Sequence, residues 1–214
     1  MRKTFLAITL FLAFSKAALA QFGNCTASEM RTYVDSATGN TITMLTDTMK
    51  NDRFLYQTDP MWTADGKYLL FRSSSRGNDK EVESTLPNGE KRKWTPTQIY
   101  FIEMATGKII QATEGPNLGS AFLANKTNRM FVSRKEKENW NMYVMDLNKF
   151  FADVKQGKVG KPSAYETFIG TFPTEMGRPG GYAVDCNDDY AYITVEREGT
   201  EEEKERMMKN AFLP

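Results

Sequence analysis

The side-chain combinations that most often carry catalysis are missing from this sequence. Its 214 residues include no histidine, which excludes a Ser-His-Asp or Cys-His nucleophile within this chain and any metal held by its own histidines. No Cys-x-x-Cys pair, phosphate-binding P-loop or Gly-x-Gly-x-x-Gly turn occurs either. The sequence therefore predicts no catalytic centre and no metal site of these types.

One acidic cluster could in principle bind a cation. Asp185, Asp188 and Asp189 lie close together in the sequence. The cluster falls where a hairpin turn is expected, and aspartate is a turn-forming residue because its side chain bonds to the nearby backbone. We interpret these aspartates as turn residues, with a cation site as the alternative.

The chain is organised around a hairpin between Leu55 and Ser74. The turn Asp65-Gly66 separates an apolar anchor from the alternating run Tyr68–Phe71. Asp-Gly between two such runs is a strong hairpin signal, because glycine adopts the positive φ that a tight turn needs.

This hairpin recurs with a period of 61 residues. The run after the turn is repeated as Tyr68–Phe71, Arg129–Val132 and Tyr190–Ile193. The residue before the turn keeps the same register as Trp62, Leu123 and Val184. A repeat of this length indicates a modular architecture.

A second hairpin recurs between these copies. Residues 33–40 match residues 101–108, and residues 142–149 form a weaker third copy. Two hairpins per repeat make a four-stranded unit, and such units arranged radially form a β-propeller. We predict an all-β fold with blades of four antiparallel strands, about three blades in a partial ring. The alternative is an antiparallel sandwich.

The first twenty residues have the pattern of an export signal. Arg2 and Lys3 precede the apolar run Phe5–Phe14, and Ala18-Leu19-Ala20 supplies a cleavage pattern before Gln21. The apolar run is too short for a permanent membrane span. The sequence predicts an exported protein, periplasmic or extracellular, with residues 1–20 as signal peptide, 21–199 as propeller and 200–214 as a helical tail.

Charge and cysteine content narrow the expected partners. Loss of Arg2, Lys3 and Lys16 with the signal would reduce the 28 basic residues to 25 against 27 acidic ones, so no basic field for nucleic acid is expected. Cys25 and Cys186 would be exported to a compartment where disulfides persist. The sequence leaves open whether they pair.

Three further segments lie between or beyond the repeats. The charged insertion Gly77–Thr97 is predicted to be a long projecting hairpin or loop, with a solvated connector as the alternative. Phe150–Tyr165 is predicted to be a surface loop, and Gly177–Gly181 a tight bend. A capping box at Thr200 predicts a short helix over 201–211. The apolar end of the chain predicts further blades, or a partner chain, that close the ring.

The motifs resemble a known family. Asp35–Gly39, Leu45–Asp47 and Tyr56–Lys67 resemble the opening blades of secreted TolB-type propellers, and most of all the oligogalacturonate lyase-like proteins. The resemblance is good over residues 32–115 and thinner from there to residue 199. It implies β-elimination of acidic pectin fragments with manganese held largely by histidines. None of the family's catalytic residues falls on this chain, so the chain is expected to be inactive alone. A non-catalytic, periplasmic TolB-like binding or scaffold propeller is the alternative.

An acidic oligosaccharide would be bound by arginines and aromatic residues. Arginine forms paired hydrogen bonds with a carboxylate. The candidate substrate-binding residues are Arg53, Arg72, Arg178, Tyr56 and Gln57. Trp62 is instead predicted to be a core residue, because it takes the repeat position of Leu123 and Val184.

Overall fold

The computed structural model describes residues 22–77, 80–85, 89–172 and 178–196. The predicted signal peptide and the helical tail lie outside these residues. The strands are β1 Cys25–Thr26, β2 Arg31–Val34, β3 Thr41–Met44, β4 Asp52–Arg53, β5 Tyr68–Ser73, β6 Val82–Thr85, β7 Lys91–Trp94, β8 Gln98–Glu103, β9 Ile109–Gln111, β10 Leu118–Leu123, β11 Arg129–Glu136, β12 Asn139–Asp146, β13 Glu166–Thr171, β14 Arg178–Val184 and β15 Ala191–Glu196. Helix α1 spans Leu147–Gln156, and a 3₁₀ turn spans Pro162–Ala164.

Antiparallel sheets build the fold, as the repeats predict. The first blade has the strand order β1-β9-β8-β5-β4, and the second blade has the order β10-β11-β12-β13. Strands β2 and β3 form an N-terminal half-blade, β14 and β15 form a C-terminal half-blade, and β6 and β7 form a projecting arm. The four-stranded prediction is confirmed for the second blade. The first blade carries a fifth strand because Cys25 and Thr26 pair with β9.

The 61-residue repeat is confirmed residue by residue. The position before each turn pairs with the second residue of the following run in all three copies. These pairs are Trp62–Leu69, Leu123–Met130 and Val184–Ala191. Strands β14 and β15 are therefore equivalent to the inner strand pair of a blade.

The second hairpin repeat is confirmed for its first two copies. The weaker third copy, residues 142–149, is wrong, because β12 leads there into helix α1 and not into a hairpin turn. In the β2–β3 turn, Gly39 N donates to the Asp35 carbonyl and Thr38 Oγ1 donates to the Asp35 carboxylate. In the β8–β9 turn, Gly107 and Thr106 make the same two bonds to Glu103. The N-terminal half-blade is therefore equivalent to the outer strand pair of the first blade.

Gly107 is required by its turn for two reasons. Its φ is 71°, and an added Cβ would lie 2.0 Å from Ser28 Oγ. We expect Gly107→Ala to lower the free energy of unfolding by about 2 kcal/mol or more, measured by urea denaturation. Gly39→Ala is the matched control, because Gly39 has the same φ with open space around it. Equal losses in both variants would show that the contact with Ser28 is unimportant.

Alternate side chains of each blade face opposite neighbours. Leu70 and Phe101 of the first blade pack toward the second blade, where Met130 belongs to the same buried cluster. The opposite face of the first blade presents Phe71 and Ile102 toward the N-terminal half-blade. This face-to-face stacking is the arrangement of propeller blades.

A similar cluster joins the second blade to the C-terminal half-blade. Phe122 stacks on Phe131 and on Tyr182 of β14, each with ring centroids 4.9 Å apart. Val184 and Ile193 pack against the same cluster. The stack therefore continues in one direction, from the N-terminal half-blade through two blades to the C-terminal half-blade.

The prediction for Trp62 is wrong. Trp62 is 47% exposed, whereas Leu123 at the equivalent position is 1% exposed. Leu123 is covered by the whole first blade. In the described part of the chain, the unit before the first blade contributes only its outer strand pair, so the inner position at Trp62 stays open.

Residues 150–165 are also not the surface loop that was predicted. Helix α1 begins at the N-cap Asp146, whose carboxylate accepts a hydrogen bond from Lys149 N at 3.1 Å, and it ends at Gly157. Leu147, Phe150 and Phe151 are buried. Their i, i+3, i+4 spacing is typical of an amphipathic helix, which here interrupts the strand repeat.

The predicted tight bend is a bulged strand. Residues 178–181 lie in β14 with a register shift between Pro179 and Tyr182.

The two cysteines do not form a disulfide in this structure. Cys25 and Cys186 are free and exposed. In the part of the chain that the structure describes, no helix is long and apolar enough to span a bilayer.

Candidate functional site

A concave surface of the described chain follows the inner strands of the stack. It is a cavity of about 1020 Å³. Its wall is formed by β4 with the segment after it, by the end of β5, by the arm, by β10 and by β14. The cavity is therefore assembled from both blades and the C-terminal half-blade.

Two predicted arginines form the centre of its polar wall. Arg53 of β4 lies directly opposite Arg72 of β5 in the strand ladder, and both line the cavity. Directly opposed positions bring Cβ atoms within about 5.5 Å, and like charges there are destabilising. Arg53 Nε donates to Asn51 Oδ1 at 3.2 Å, which leaves the positive charges unneutralised.

Two other arginines of the chain have carboxylate partners and therefore structural roles. Arg76 bridges Glu29 and Asp52, and Arg134 pairs with Glu166. Among the described residues, neither Arg53 nor Arg72 has such a carboxylate partner. The opposed pair therefore presents two positive charges at the cavity lining.

The other three predicted residues differ in their position relative to the cavity. Tyr56 lines the cavity, together with Thr58 and Asp59 of the same segment. Gln57 lies in the same turn, outside the cavity lining. Arg178 begins β14, and Gly180 and Gly181 of that strand line the cavity.

The arm contributes two residues that the sequence interpretation missed. Arg92 and Trp94 of β7 line the cavity, and alternation along a strand places them on one face. The hairpin predicted for this insertion is confirmed by the pairing of β6 with β7, but none of its residues is among the candidate substrate-binding residues. The sequence signal for this contribution is a tryptophan two residues after an arginine, within an otherwise charged hairpin.

Electrostatically the cavity favours anions. Among its described lining residues, Arg53, Arg72 and Arg92 oppose the single carboxylate of Asp59. Tyr56 and Trp94 are aromatic residues of the same lining. Guanidinium groups beside aromatic rings suit a ligand that has carboxylates and an apolar ring face.

The second blade and the C-terminal half-blade also contribute to the cavity. Gly119 and Ser120 of β10 and Tyr182 of β14 line it. An added Cβ at Gly119 would lie 2.4 Å from Ser133 Oγ. Ser133 Oγ also accepts a hydrogen bond from Ser120 N at 2.9 Å and contacts the Tyr182 hydroxyl at 2.7 Å. This network joins three strands, because Ser120, Ser133 and Tyr182 belong to β10, β11 and β14.

Asp188 fixes the C-terminal half-blade beside the second blade. Its carboxylate accepts hydrogen bonds from the backbone N–H groups of Asn125, Lys126 and Thr127 at 2.6, 2.8 and 2.8 Å. Burial acts to raise its pKa, but these hydrogen bonds outweigh burial and hold the pKa below its ordinary value. Asp185 accepts bonds from Asn187 N and Tyr190 N in its own turn. The acidic cluster thus supplies turn residues.

Loss of the Asp188 carboxylate should loosen the half-blade. We expect Asp188→Ala to reduce amide hydrogen-exchange protection in β14 and β15 by about tenfold or more, because three donors lose their acceptor. Because its folded pKa is depressed, the Asp188 contribution is present above about pH 4 and is lost as the pH falls through the folded pKa. Asp189→Ala is the control at the neighbouring exposed position. Unchanged protection in Asp188→Ala would contradict the assigned role.

The described residues do not form a metal centre. No three His, Cys, Asp or Glu side chains among them lie close enough together to hold a metal ion, and the sequence has no histidine. They therefore do not fit a histidine-ligated manganese site, and no step that uses manganese is assigned to them.

The stacked antiparallel blades and the cavity along their inner strands define a propeller-type all-β protein. Its fold is similar to a solved oligogalacturonate lyase in complex with manganese, with 20% identity, a TM-score of 0.52, and coverage of 78% of this chain and 36% of that one. It is also similar to the oligogalacturonate lyase of Vibrio parahaemolyticus, with 21% identity, a TM-score of 0.53, and coverage of 78% and 35%.

These similarities show the fold. The resemblance predicted from the sequence motifs is thereby confirmed at the level of fold. This chain spans about a third of the length of each lyase structure. No family model matches the sequence, and no curated protein gives a significant match.

Proposed function

We propose that this chain forms part of an exported, oligogalacturonate lyase-like propeller and binds acidic oligosaccharides derived from pectin. The observation that carries the proposal is the opposed pair Arg53 and Arg72, whose charges have no carboxylate partner among the described residues. A uronate carboxylate would accept hydrogen bonds from these guanidinium groups and would relieve their mutual repulsion.

The other cavity residues suit the rest of such a ligand. Trp94 and Tyr56 offer aromatic faces for a sugar ring, and Arg92 offers a second position for a carboxylate on a neighbouring uronate. A cavity of about 1020 Å³ would hold a short oligosaccharide. The chain would therefore recognise the repeated negative charge of the substrate.

We assign catalysis to blades outside this chain. β-Elimination needs a base that removes the proton next to the uronate carboxylate, and a cation that stabilises the resulting enolate. The histidines that the family resemblance implies for this work are missing from the sequence. We expect this chain alone to bind substrate without cleaving it.

A second candidate is a non-catalytic, TolB-like binding or scaffold propeller in the periplasm. The lack of histidine favours it, because a purely binding protein needs no base. The two candidates share the ligand site and differ in whether blades supplied by further chain or a partner carry the chemistry.

Calorimetric titration with trigalacturonate tests the proposed site. Binding should be at least about tenfold tighter than for the methyl-esterified trisaccharide, because esterification removes the charge that each arginine recognises. Maltotriose is the neutral control. Equal affinity for the acid and its ester would overturn the proposed site.

A separate assay tests catalysis. Trigalacturonate and manganese are added, and the ultraviolet absorbance of the unsaturated product is followed. We expect no product from this chain alone. Measurable turnover would show that the chain holds a base other than histidine, and the division between binding and catalysis would be wrong.

A further inference from the structure

We propose that the arm, strands β6 and β7, forms a second subsite that makes binding depend on the length of the acidic ligand. In this subsite Arg92 receives a carboxylate and Trp94 contacts a sugar ring. The chain thereby selects short oligosaccharides with at least two unesterified uronates over a single uronate. The inference rests on the proposed function, because it extends the site at Arg53 and Arg72.

One face of the arm belongs to the cavity lining. The pairing of β6 with β7 places Ser84 directly opposite Arg92, and directly opposed residues share one face of a strand pair. Alternation along β7 puts Trp94 on the same face. All three residues line the cavity, whereas Glu83, Lys91 and Lys93 do not. The arm therefore has a cavity face and an outer face.

The positive charges of the arm are neutralised on the outer face and not on the cavity face. Lys91 Nζ pairs with Glu83 Oε1 at 2.7 Å, and Lys93 lies directly opposite Glu83 in the ladder. Arg92 lies opposite an uncharged serine, and no carboxylate among the described residues pairs with it. The cavity face thus carries a guanidinium group without a counter-charge, beside a tryptophan.

A continuous lining connects this face with the arginine pair. Ile99 of β8 lies opposite Arg72 of β5, and both line the cavity. Between Ile99 and the arm, residues 95–97 line the cavity as well. Ile99 follows Arg92 by seven residues in the sequence, which span at most about 25 Å. The two subsites are therefore neighbouring parts of one cavity.

Dependence on length follows from the number of carboxylates in the ligand. A uronate has one carboxylate, so a monosaccharide occupies either the arginine pair or Arg92 and never both. An oligosaccharide that reaches both adds a second charged contact within the same molecule, at a high effective concentration. A hydrogen bond to a charged group corresponds to about tenfold or more in affinity. A trisaccharide should gain this factor over a monosaccharide.

Calorimetric titration with galacturonate and trigalacturonate tests the second subsite. The unmodified chain should bind the trisaccharide at least about tenfold more tightly than the monosaccharide. Arg92→Ala should weaken trigalacturonate binding by about tenfold or more and leave galacturonate binding unchanged, whereas Arg72→Ala should weaken both. Lys93→Ala is the matched control, because it removes the same charge from the outer face of the same strand. Arg92 and Lys93 are both exposed, so both variants should unfold at the same urea concentration as the unmodified chain.

The outcomes separate the arm subsite from the arginine pair. Equal affinity of the unmodified chain for the monosaccharide and the trisaccharide would overturn the arm subsite and leave the proposed function in place. Equal losses of trigalacturonate affinity in Arg92→Ala and Lys93→Ala would do the same. A chain that binds neither ligand would overturn the proposed function together with this inference.

Tryptophan fluorescence gives a second readout of the arm. A sugar ring that contacts Trp94 should change the emission when trigalacturonate is added. Trp94→Leu, which keeps an apolar side chain opposite Val82, should lose this change although Trp62 and Trp140 are still present. It should also bind trigalacturonate less tightly and galacturonate with unchanged affinity. An identical change in emission in Trp94→Leu would contradict the contact with the sugar.

Discussion

Replacing Arg76 with methionine is expected to lower the free energy of unfolding by about 3–5 kcal/mol. The Arg76 side chain is only 6% exposed. Its Nη1 and Nη2 donate to Glu29 at 2.9 and 2.6 Å, and its Nε donates to Asp52 at 2.7 Å. Removing the guanidinium would leave two partly buried carboxylates facing each other without a counter-charge.

The position of this triad explains why the loss should affect the whole stack. Glu29 precedes β2 of the N-terminal half-blade, and Asp52 lies in β4 of the first blade. The Arg76 guanidinium also lies 5.3 Å from the ring centroid of Phe71, whose side chain belongs to the cluster between these units. Arg76 therefore joins the half-blade to the first blade by charge and by packing.

The pH dependence of stability gives a second readout of the triad. Hydrogen bonding to Arg76 holds the pKa of Glu29 below its ordinary value. A carboxyl whose folded pKa is depressed contributes stability above its unfolded pKa of about 4.3, and that stability is lost as the pH falls through the folded pKa. Urea denaturation between pH 7 and pH 3 should show this loss in the unmodified chain and a smaller loss in Arg76→Met.

Two further variants make the Arg76 result interpretable. Arg129→Met changes an exposed arginine at the start of β11 and should alter stability by less than about 0.5 kcal/mol. Adding Glu29→Gln and Asp52→Asn to Arg76→Met should recover part of the loss, because no unpaired charge would remain. A loss below about 1 kcal/mol for Arg76→Met, or no recovery in the triple variant, would contradict the assigned role.

Replacing Arg72 with alanine is expected to weaken trigalacturonate binding by about 10- to 100-fold. A hydrogen bond to a charged group contributes about 1.5–3 kcal/mol, which corresponds to that range of affinity. Arg53→Ala should give a similar loss, because Arg53 lies directly opposite Arg72 and would share the same carboxylate. Calorimetric titration measures both.

Two further substitutions distinguish recognition of the carboxylate from a general effect of positive charge. Arg72→Lys should recover only part of the affinity, because lysine keeps the charge but lacks the planar fork that binds both carboxylate oxygens. Arg129→Ala removes one exposed positive charge at another place and should leave the affinity unchanged. Equal losses in Arg72→Ala and Arg129→Ala would show that net charge, and not the cavity, determines binding.

Arg72→Ala, which should weaken ligand binding, should not weaken the stability of the ligand-free protein. Without ligand, Arg53 and Arg72 repel each other across the strand pair. We therefore expect Arg72→Ala to leave the free energy of unfolding unchanged or to raise it by about 0.5 kcal/mol. Thermal or urea denaturation of the ligand-free protein tests this expectation. A loss above about 1 kcal/mol would indicate that Arg72 has a structural role.

Local chemistry made much of the fold predictable from the sequence. The Asp65-Gly66 turn and the alternating run at Tyr68 are properties of neighbouring residues, and the 61-residue period repeats them in register. The arginine candidates were also found locally, as guanidinium groups beside strand ends. Three of the five candidates, Arg53, Arg72 and Tyr56, line one cavity.

The remainder was decided by tertiary packing. Trp62 and Leu123 take the same position in their repeats, yet one is exposed and the other buried, because burial depends on how many strands the preceding unit provides. Trp94 belongs to the arm, and only the tertiary structure shows that it lines the same cavity as β10 of the second blade. The sequence by itself determined the repeating hairpins, the lack of histidine and the residues suited to a carboxylate. Only the stacking of blades decided which of them meet, since those contacts join residues that are distant along the chain.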